Sequence, residues 1–374
     1  MSNKIKNKYR KQTALGHRRF HQQLLRKNLT KDRYRGLIKI NGTVYHKIEA
    51  PEVLSIYSNE SGEFEKTLDF KERLVRSFNL KGETLISFEF TKSFDAAALL
   101  LIYSAVEQAT SETTKNQAKV RLAHEPKVNM LLKRSNLKRL LEGRELIRVR
   151  ADDQLLPVIS SDSAEYTEEI VDFIKLKIYN NDLTADDESI LSEAVMEAVE
   201  NVLVHAYPEL QASSKPLSPG DTIKGRQWWM VCDVVKDQLY LAIMDSGVGI
   251  PETVKYKNWF EKAFREEYPE LYQELYSQLG RGERLLEKLN YKPNVTDANF
   301  INISMTGDLS SIEQQGRGQG SKSIKSLVGE NEMGKLWVFS GKGLYLFRSN
   351  DDKELYNLPK PIKGTLLQWN IKIK

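Results

Sequence analysis

Three short segments in the C-terminal half of the chain combine residue types that bind ligands and move protons. The first, Glu197–Asn201, places a carboxylate and a carboxamide four residues apart, and therefore on one face of a helix. The second, Asp245–Ile250, places an acid and glycines directly after an apolar strand. The third, Gly316–Gly320, is a glycine-rich loop that leads into a helix. Side chains of these types could activate a water molecule, coordinate a metal ion and hold a nucleotide.

The helix expected to carry the first segment runs from about Ser189 to His205. Its core stripe consists of apolar residues at helical spacing, namely Leu191, Ala194, Val195, Ala198 and Val202. On an adjacent face, Glu193, Glu197, Asn201 and His205 recur every four residues. A solvent-facing polar stripe is one interpretation of this spacing. A functional face is the other, because asparagine is unfavourable in the middle of a helix unless its side chain has a partner.

Asp245 follows Leu239–Met244, an apolar run that predicts a buried strand. Gly247 and Gly249 permit backbone angles that are closed to other residues, so a ligand can approach the main chain there. Ile250 completes the turn with an apolar side chain. An aspartate at a turn is common, and this segment becomes informative only beside the other two.

The third segment consists of Gly316, Arg317, Gly318, Gln319 and Gly320, followed by Ser321 and Lys322. Apolar residues beyond it predict a helix start, where exposed N–H groups and the helix dipole favour a phosphate. Lys322 is either a phosphate contact or a solvated surface residue. The segment also approaches a P-loop pattern, but Ser321 takes the place of the second glycine and no buried strand precedes it.

Composition limits the classes of protein to which the chain can belong. Its 374 residues are enough for two or three domains, and 40% of them are hydrophobic. No apolar run approaches the roughly 20 residues of a membrane span, and the N-terminus lacks the apolar stretch of a secretory signal. Cys232 is the single cysteine, which excludes an intrachain disulfide and a cysteine zinc site. We therefore expect a cytoplasmic protein with no membrane segment.

Positive charge is concentrated at the N-terminus. Residues 1–36 contain twelve Lys or Arg and one Asp, a net charge of +11, so the overall +5 leaves −6 for the remainder. The stretch Lys4–Lys11 has too few apolar residues to fold alone. This basic arm is either a solvated tail or a segment that lies on nucleic acid phosphates. The second interpretation predicts an affinity for DNA or RNA that depends strongly on salt.

Residues 37–150 have the pattern of an α/β domain. Leu37–Ile40 and Thr43–Tyr45 predict a hairpin, because the intervening Asn-Gly supplies the positive φ angles of a tight turn. Helices and strands then alternate, with a helix over Thr67–Arg76, a strand over Thr84–Phe90, a helix over Asp95–Ala109, a strand over Val120–Ala123 and a helix over Val128–Leu141. This alternation favours a partly parallel sheet. The polar run Ala151–Ser163 marks the predicted domain boundary.

Residues 151–374 form the second predicted domain. Its predicted elements are a helix over Tyr166–Tyr179, a hairpin of Gln227–Val234 with Gln238–Met244, a hairpin of Lys335–Ser340 with Leu344–Arg348, and a final strand over Thr365–Ile373. Trp228 and Trp229 are interpreted as packed strand residues rather than a stacking platform. Residues 251–315 form a long lid or insertion with acidic, aromatic helices, which would carry a partner or dimer surface.

In this order, the three segments resemble the GHKL ATPase superfamily. This superfamily includes histidine kinases, anti-sigma-factor kinases, DNA gyrase B, MutL and the ninety-kilodalton heat-shock chaperone. The resemblance covers roughly Tyr166–Lys374, and Asn201–Tyr207 is most similar to the anti-sigma-factor kinase form. It implies a Bergerat-type α/β sandwich, with a mixed sheet covered by helices, that binds ATP and Mg²⁺.

The resemblance also implies a role for each matching residue. Glu197 would orient or deprotonate the attacking water, and Asn201 would hold Mg²⁺. Asp245 would accept a hydrogen bond from the adenine amino group, with Thr365 supporting its carboxylate. The other expected nucleotide contacts are His205, Gly247, Gly249, Ile250, Gly316, Arg317, Gly318, Gln319, Gly320, Ser321 and Lys322. Gln319 and Ser321 stand where many relatives have leucines.

The region before the boundary is similar to a STAS domain, the fold of anti-sigma-factor antagonists. The similarity spans about Thr84–Leu137. STAS domains of this type are phosphorylated on a serine after an aspartate, but Ala96 and Ala97 follow Asp95 here. We therefore expect a scaffold or a docking surface for a partner protein rather than a phosphorylation switch.

Three functions are compatible with these features. The first is an ATPase in which ATP closes the lid and joins two chains as a homodimer, with the basic arm on nucleic acid. The second is a serine protein kinase of the anti-sigma-factor type that acts on a separate partner. The third is a nucleotide-gated binding module without hydrolysis. A sensor histidine kinase is disfavoured, since none of His17, His21, His46 and His124 lies in an acidic phospho-acceptor motif.

Overall fold

The computed structural model describes residues 36–57, 62–79, 82–111, 118–147, 156–208, 226–278, 295–307, 320–329, 331, 333–349 and 351–373. Helices pack against a mixed four-stranded sheet and a five-stranded sheet in this part of the chain, which confirms the α/β class. The basic arm, apart from Gly36, lies outside the described residues, as do Gly316, Arg317, Gly318 and Gln319. None of the described helices combines the length and apolar character needed to cross a lipid bilayer.

The first sheet consists of β1 (Leu37–Ile40), β2 (Thr43–Glu49), β4 (Glu83–Ser87) and β6 (Ala118–Arg121), in the order β1-β2-β4-β6. β1 and β2 form the predicted antiparallel hairpin, with Asn41 and Gly42 at φ angles of 47° and 86°. The pairs β2–β4 and β4–β6 are parallel, so the partly parallel sheet is confirmed. A separate parallel ribbon joins β3 (Val53–Leu54) to β5 (Ser93–Phe94).

The helices of this half are α1 (Glu63–Phe78), α2 (Ala96–Ser111), α3 (Pro126–Arg134) and α4 (Leu137–Leu141). The single helix predicted up to Leu141 is therefore wrong, because it divides into α3 and α4. The break occurs at Asn136, whose φ of 67° lies in the left-handed region that a continuing α-helix cannot adopt.

The second sheet consists of β7 (Ile159–Ser161), β8 (Trp228–Val235), β9 (Gln238–Asp245), β10 (Lys335–Ser349) and β11 (Asp352–Lys372), in the order β10-β11-β9-β8-β7. Every described pair in it is antiparallel, whereas a mixed sheet was expected in this domain. For two of the four pairs the reason is the short connection: two residues separate β8 from β9, and two separate β10 from β11, which is too few for the crossover that parallel neighbours need. The parallel pairs lie in the N-terminal sheet and in the β3–β5 ribbon instead.

The predicted hairpin between Lys335–Ser340 and Leu344–Arg348 is also wrong. β10 continues through both segments and pairs with β11, with shifts of register between Ser340 and Gly343. The predicted final strand lies within β11, which already begins at Asp352. Glycine between two apolar runs is compatible with either a turn or a strand irregularity. Pairing along β11 favoured the irregularity here.

The helices of the C-terminal half are α5 (Thr167–Phe173), α6 (Ala185–Asn201), α7 (Ile250–Val254), α8 (Phe260–Glu267), α9 (Pro269–Ser277), α10 (Asp297–Gly307) and α11 (Gly320–Gly329). α6 begins where the Thr184 hydroxyl accepts a hydrogen bond from the Asp187 N–H at 3.1 Å. It continues beyond Asn201 as a π-helical turn over Val202–Ala206. A rigid helix thus carries the first of the three segments.

Alternation along β8 divides its residues between two cores. Trp228 and Met230 share a core with residues of α5, α6 and α11, whereas Trp229 and Val231 share one with residues of α2. Both tryptophans are fully buried, as predicted for packed strand residues. The second sheet is therefore covered on one face by C-terminal helices and on the other by a helix of the N-terminal half.

Candidate functional site

A cavity of about 760 Å³ is lined by residues of α6, β9, α7, α10, α11 and β11. The predicted site residues that line it are Glu197, Asn201, His205, Asp245, Gly249, Ile250, Gly320, Ser321 and Thr365. Gly247 packs directly behind this lining, against Ala206, and Lys322 lies exposed on α11 outside it. Segments that are far apart in the sequence therefore meet around one space.

Glu197 and Asn201 form a hydrogen-bonded pair on α6. The Asn201 side-chain amide donates to Glu197 Oε1 at 2.9 Å, and both residues are partly buried. Glu193, one turn earlier, is exposed. The solvent-stripe interpretation of this helix face is therefore wrong for Glu197 and Asn201. Instead, the pair faces the cavity.

The first residue of α11 lies against the Glu197 carboxylate. A Cβ atom added to Gly320 would stand 2.0 Å from Glu197 Oε1, so the carboxylate can lie this close to the helix only because residue 320 is a glycine. The next residue, Ser321, is 5% exposed, and its hydroxyl has no hydrogen-bond partner among the described residues. Free backbone N–H groups at the start of a helix favour anions. The cavity therefore places a carboxylate beside an anion-favouring helix end.

Asp245, the last residue of β9, is 4% exposed. Its Oδ1 accepts a hydrogen bond from the Gly247 N–H at 2.7 Å, and Thr365 donates to the carboxylate through its backbone and its hydroxyl. Burial nevertheless raises the pKa of Asp245 to about 7, because removal of solvent penalises the charged form more than these bonds favour it.

Ser340 holds this corner of the cavity together, and sequence reasoning missed it. Its hydroxyl accepts from the Ile250 N–H at 2.9 Å and donates to the Gly364 carbonyl at 2.9 Å. It also lies 3.3 Å from the Thr365 hydroxyl. In the sequence, the signal that could have revealed it is a serine that directly follows the apolar run Leu336–Phe339, and the structure buries this serine fully within β10.

The insertion supplies part of the wall through Lys257, Trp259 and Met305, none of which lies in a recognisable motif. Lys257 Nζ is 3.3 Å from His205 Nδ1 at the mouth of the cavity. Loss of solvent around the ring, followed by the Lys257 charge, lowers the pKa of His205. His205 is therefore a neutral hydrogen-bonding group at pH 7, and Lys257 is the cation beside it.

The donor set suits a magnesium ion only in the company of a phosphate ligand. No group of three or more His, Cys, Asp or Glu in the described part of the chain is arranged to hold a metal. The amide nitrogen of Asn201 is engaged by Glu197, so its carbonyl oxygen is the atom that could ligate. Mg²⁺ takes one or two protein oxygens and completes its shell with water and phosphate oxygens. The residues present fit that mode of binding.

Comparison with known proteins does not add to this geometry. No family model matches the chain. No curated protein shows significant similarity to it.

The raised pKa of Asp245 predicts that binding of an amino-bearing base depends on pH. If a base binds here as the GHKL resemblance implies, it would donate to the ionised carboxylate, so below the pKa of about 7 binding would first have to release a proton. We expect the affinity for ADP to fall by up to about tenfold per pH unit below 7 and to level off above it. Calorimetric titrations across this range measure the slope.

The matched control is Asp245→Asn, which leaves the titration of the ligand phosphates unchanged but removes the carboxyl group. Subtracting its pH profile from that of the unsubstituted protein isolates the contribution of Asp245. Parallel profiles would contradict the assigned role of this carboxylate.

Proposed function

We propose that the chain is an Mg-ATP-dependent ATPase of the GHKL type, with a Bergerat-type nucleotide site in its C-terminal half. One observation carries the proposal: Glu197, Asn201, Asp245, Thr365 and the start of α11 line the same cavity. Its volume of about 760 Å³ falls within the range of roughly 300–1,000 Å³ that is usual for small-molecule and cofactor sites.

Recognition of the base is assigned to the Asp245 corner. The buried carboxylate accepts a hydrogen bond from the adenine amino group, and the Thr365 and Gly247 donors hold it in place. Ile243, Met305 and Leu367 line the cavity and offer apolar surface to a planar ring. A guanine base presents a carbonyl oxygen at the corresponding position, so an ionised carboxylate would repel it.

Phosphate binding and proton transfer are assigned to the opposite wall. Backbone N–H groups at the start of α11, together with the Ser321 hydroxyl, donate to phosphate oxygens. Glu197 orients the attacking water and accepts its proton. The adjacent helix end stabilises the negative charge that develops on the phosphate oxygens as the water attacks. When bound, Mg²⁺ would neutralise charge on the phosphate oxygens, with Asn201 Oδ1 as its protein ligand.

Nucleotide binding would be coupled to association of two chains. Lys257 and Trp259 of the insertion form part of the cavity wall, so a bound nucleotide contacts the insertion directly. Closure of this lid on ATP would expose or complete a dimer surface, and hydrolysis would reopen it. The basic residues 1–36 would then hold the dimer on nucleic acid.

A second candidate is a serine protein kinase, favoured by the similarity of Asn201–Tyr207 to the anti-sigma-factor kinases. Glu197 would then deprotonate a serine hydroxyl of a separate protein in place of water. Radiolabelled ATP separates the candidates, because an ATPase releases labelled free phosphate and a kinase transfers the label to a partner protein. A protein that binds the nucleotide but neither releases labelled phosphate nor transfers the label to a partner would be the non-hydrolysing binding module.

The proposal predicts that Asn201→Ala loses the magnesium dependence of nucleotide binding. Without the carboxamide oxygen the ion loses the protein ligand that the proposal assigns to it, so we expect at least about tenfold weaker binding of ATP in Mg²⁺. Calorimetry with ATP in the presence of Mg²⁺ or of EDTA measures this difference. In EDTA the variant and the unsubstituted protein should bind alike. A protein that binds no adenine nucleotide under either condition would refute the proposed function.

A further inference from the structure

Helix α2 belongs to the N-terminal half, yet it packs against the face of the second sheet that lies behind the cavity. Its residues contact both β8 and β9, and Ser104 lies beside the Met244 sulfur at 3.5 Å. The C-terminal part of α2 therefore runs close to the turn that follows Asp245. This helix is the part of the N-terminal half that reaches the proposed nucleotide site.

Gln108 of α2 is hydrogen-bonded to Ser246, the residue between Asp245 and Gly247. The Gln108 amide nitrogen donates to the Ser246 hydroxyl. That hydroxyl lies 3.3 Å from the hydroxyl of Tyr207, which follows the π-helical turn of α6. The Tyr207 hydroxyl donates in turn to the Gln227 carbonyl at 2.7 Å, and it accepts from the Ser246 N–H at 3.1 Å. We call Gln108, Ser246, Tyr207 and Gln227 the turn network.

The direction of every hydrogen bond in the turn network follows from its ends. The Gln108 amide NH₂ can only donate, and the Gln227 carbonyl can only accept. The Ser246 hydroxyl therefore accepts from Gln108 and donates to Tyr207, whose own proton goes to Gln227. Chains of this kind reinforce one another in a buried setting, and Ser246 is 8% exposed. Removal of Gln108 leaves the Ser246 hydroxyl without its donor.

Glu107, the neighbour of Gln108, anchors α2 at the same place. Its carboxylate accepts from the Trp229 indole at 2.6 Å, from the Gln227 side-chain amide at 3.0 Å and from the Ser160 hydroxyl at 3.1 Å. These donors lie on β7 and on or next to β8. The end of α2 is thus held against the sheet independently of Gln108, which makes the Gln108 bond separable from the docking of the helix.

We propose that Gln108 is a positioning residue through which the N-terminal half sets the selectivity of the nucleotide site for adenine. The inference rests on the proposed function, since it assigns base recognition to Asp245. Ser246 and Gly247 directly follow Asp245, and the Gly247 N–H holds its carboxylate at 2.7 Å. A hydrogen bond that restrains Ser246 therefore also restrains the Asp245 carboxylate, which would accept the hydrogen bond from the adenine amino group. Small displacements of a positioned group weaken its interactions disproportionately.

The test is Gln108→Leu, which removes the donor and keeps a side chain of similar size. Loss of one buried hydrogen bond should weaken ADP binding by about threefold to tenfold. The affinity for GDP should not fall, because guanine has a carbonyl oxygen where adenine has the amino group and gains nothing from the positioned carboxylate. The ratio of the two dissociation constants is the readout, because a merely structural defect would weaken both nucleotides alike. Calorimetry with each nucleotide measures it.

The matched control is Ser111→Ala on the next turn of α2. Ser111 is exposed, and within the described part of the chain its hydroxyl donates to the Gln108 carbonyl of the same helix. This variant should retain both affinities and the melting temperature. Unchanged ADP binding in Gln108→Leu, or equal weakening of ADP and GDP, would overturn the inference while leaving the proposed function intact. An unsubstituted protein that binds neither nucleotide would overturn both.

A second variant keeps the inference testable if Gln108→Leu does not fold. Ser246→Ala removes the acceptor of the same bond and should lower the preference for ADP in the same way. If both substitutions act through this bond, the double variant should prefer ADP over GDP no less than the more strongly affected of the two single variants does. Fully additive losses would show that Gln108 and Ser246 act separately, which contradicts the turn network.

Discussion

Replacement of Glu197 by glutamine is expected to lower the rate of ATP hydrolysis by about 10²–10⁴ while ATP binding is retained. Glutamine has nearly the same shape and still offers Oε1 to the Asn201 amide, which donates to it at 2.9 Å. It cannot accept a proton from water, however. Phosphate release under saturating ATP measures the rate, and calorimetry measures binding.

Glu193→Gln is the matched control for this substitution. Glu193 lies one turn earlier on α6, carries the same side chain and is exposed outside the cavity lining. We expect its hydrolysis rate to remain within about twofold of the unsubstituted protein, since it touches no part of the site. Full hydrolysis by Glu197→Gln would remove this residue from the proposed mechanism and favour another base.

Replacement of Gly247 by alanine should lower the free energy of unfolding by about 3 kcal/mol and disrupt the Asp245 turn. An added Cβ atom would stand 2.0 Å from the Ala206 carbonyl oxygen and 2.6 Å from its carbon. These are backbone atoms, and the same carbonyl accepts from the Val248 N–H at 2.9 Å. Because these backbone atoms of Ala206 cannot rotate away as a side chain can, the turn after Asp245 and the π-helical turn that contains Ala206 must move apart. Urea unfolding measures the loss.

Gly329→Ala provides the comparison at a glycine with no such neighbour. It ends α11, and apart from its chain neighbours and its own helix backbone no atom of the described residues lies within 4 Å of the position that its Cβ would occupy. Surface substitutions of this kind usually change stability by less than about 0.5 kcal/mol. An equal loss of stability in both variants would show that close approach at Gly247 is not the cause.

Much of the local structure of the candidate site could be predicted from the sequence alone. The spacing of Glu197 and Asn201 placed them on one helix face, and the apolar run before Asp245 predicted its strand. Helical period and the alternation of a strand are properties of neighbouring residues, so they can be read without knowledge of the rest of the fold. The alternative of a solvent-facing stripe could not be rejected in this way, because burial depends on what packs against the helix.

The errors share a physical cause. The β10 segments were separated into a hairpin because the glycines between them are compatible with a turn. β11, which lies later in the chain, pairs along both segments and makes them one strand. The second sheet was expected to be mixed, but the orientation of its strands depends on connections between distant segments. Pairing and direction of strands are decided by partners that local pattern does not specify.

The amino-acid order is enough to establish the chemical groups of this protein and their spacing within each element, because neighbouring residues dictate local backbone geometry. That these elements surround one cavity follows from the packing of the folded chain. The same packing brings Ser340 and Lys257 to the cavity and Gln108 of the N-terminal half to the turn after Asp245. These contacts join residues far apart in the chain, so they exist only once the cores on the two faces of the second sheet have packed.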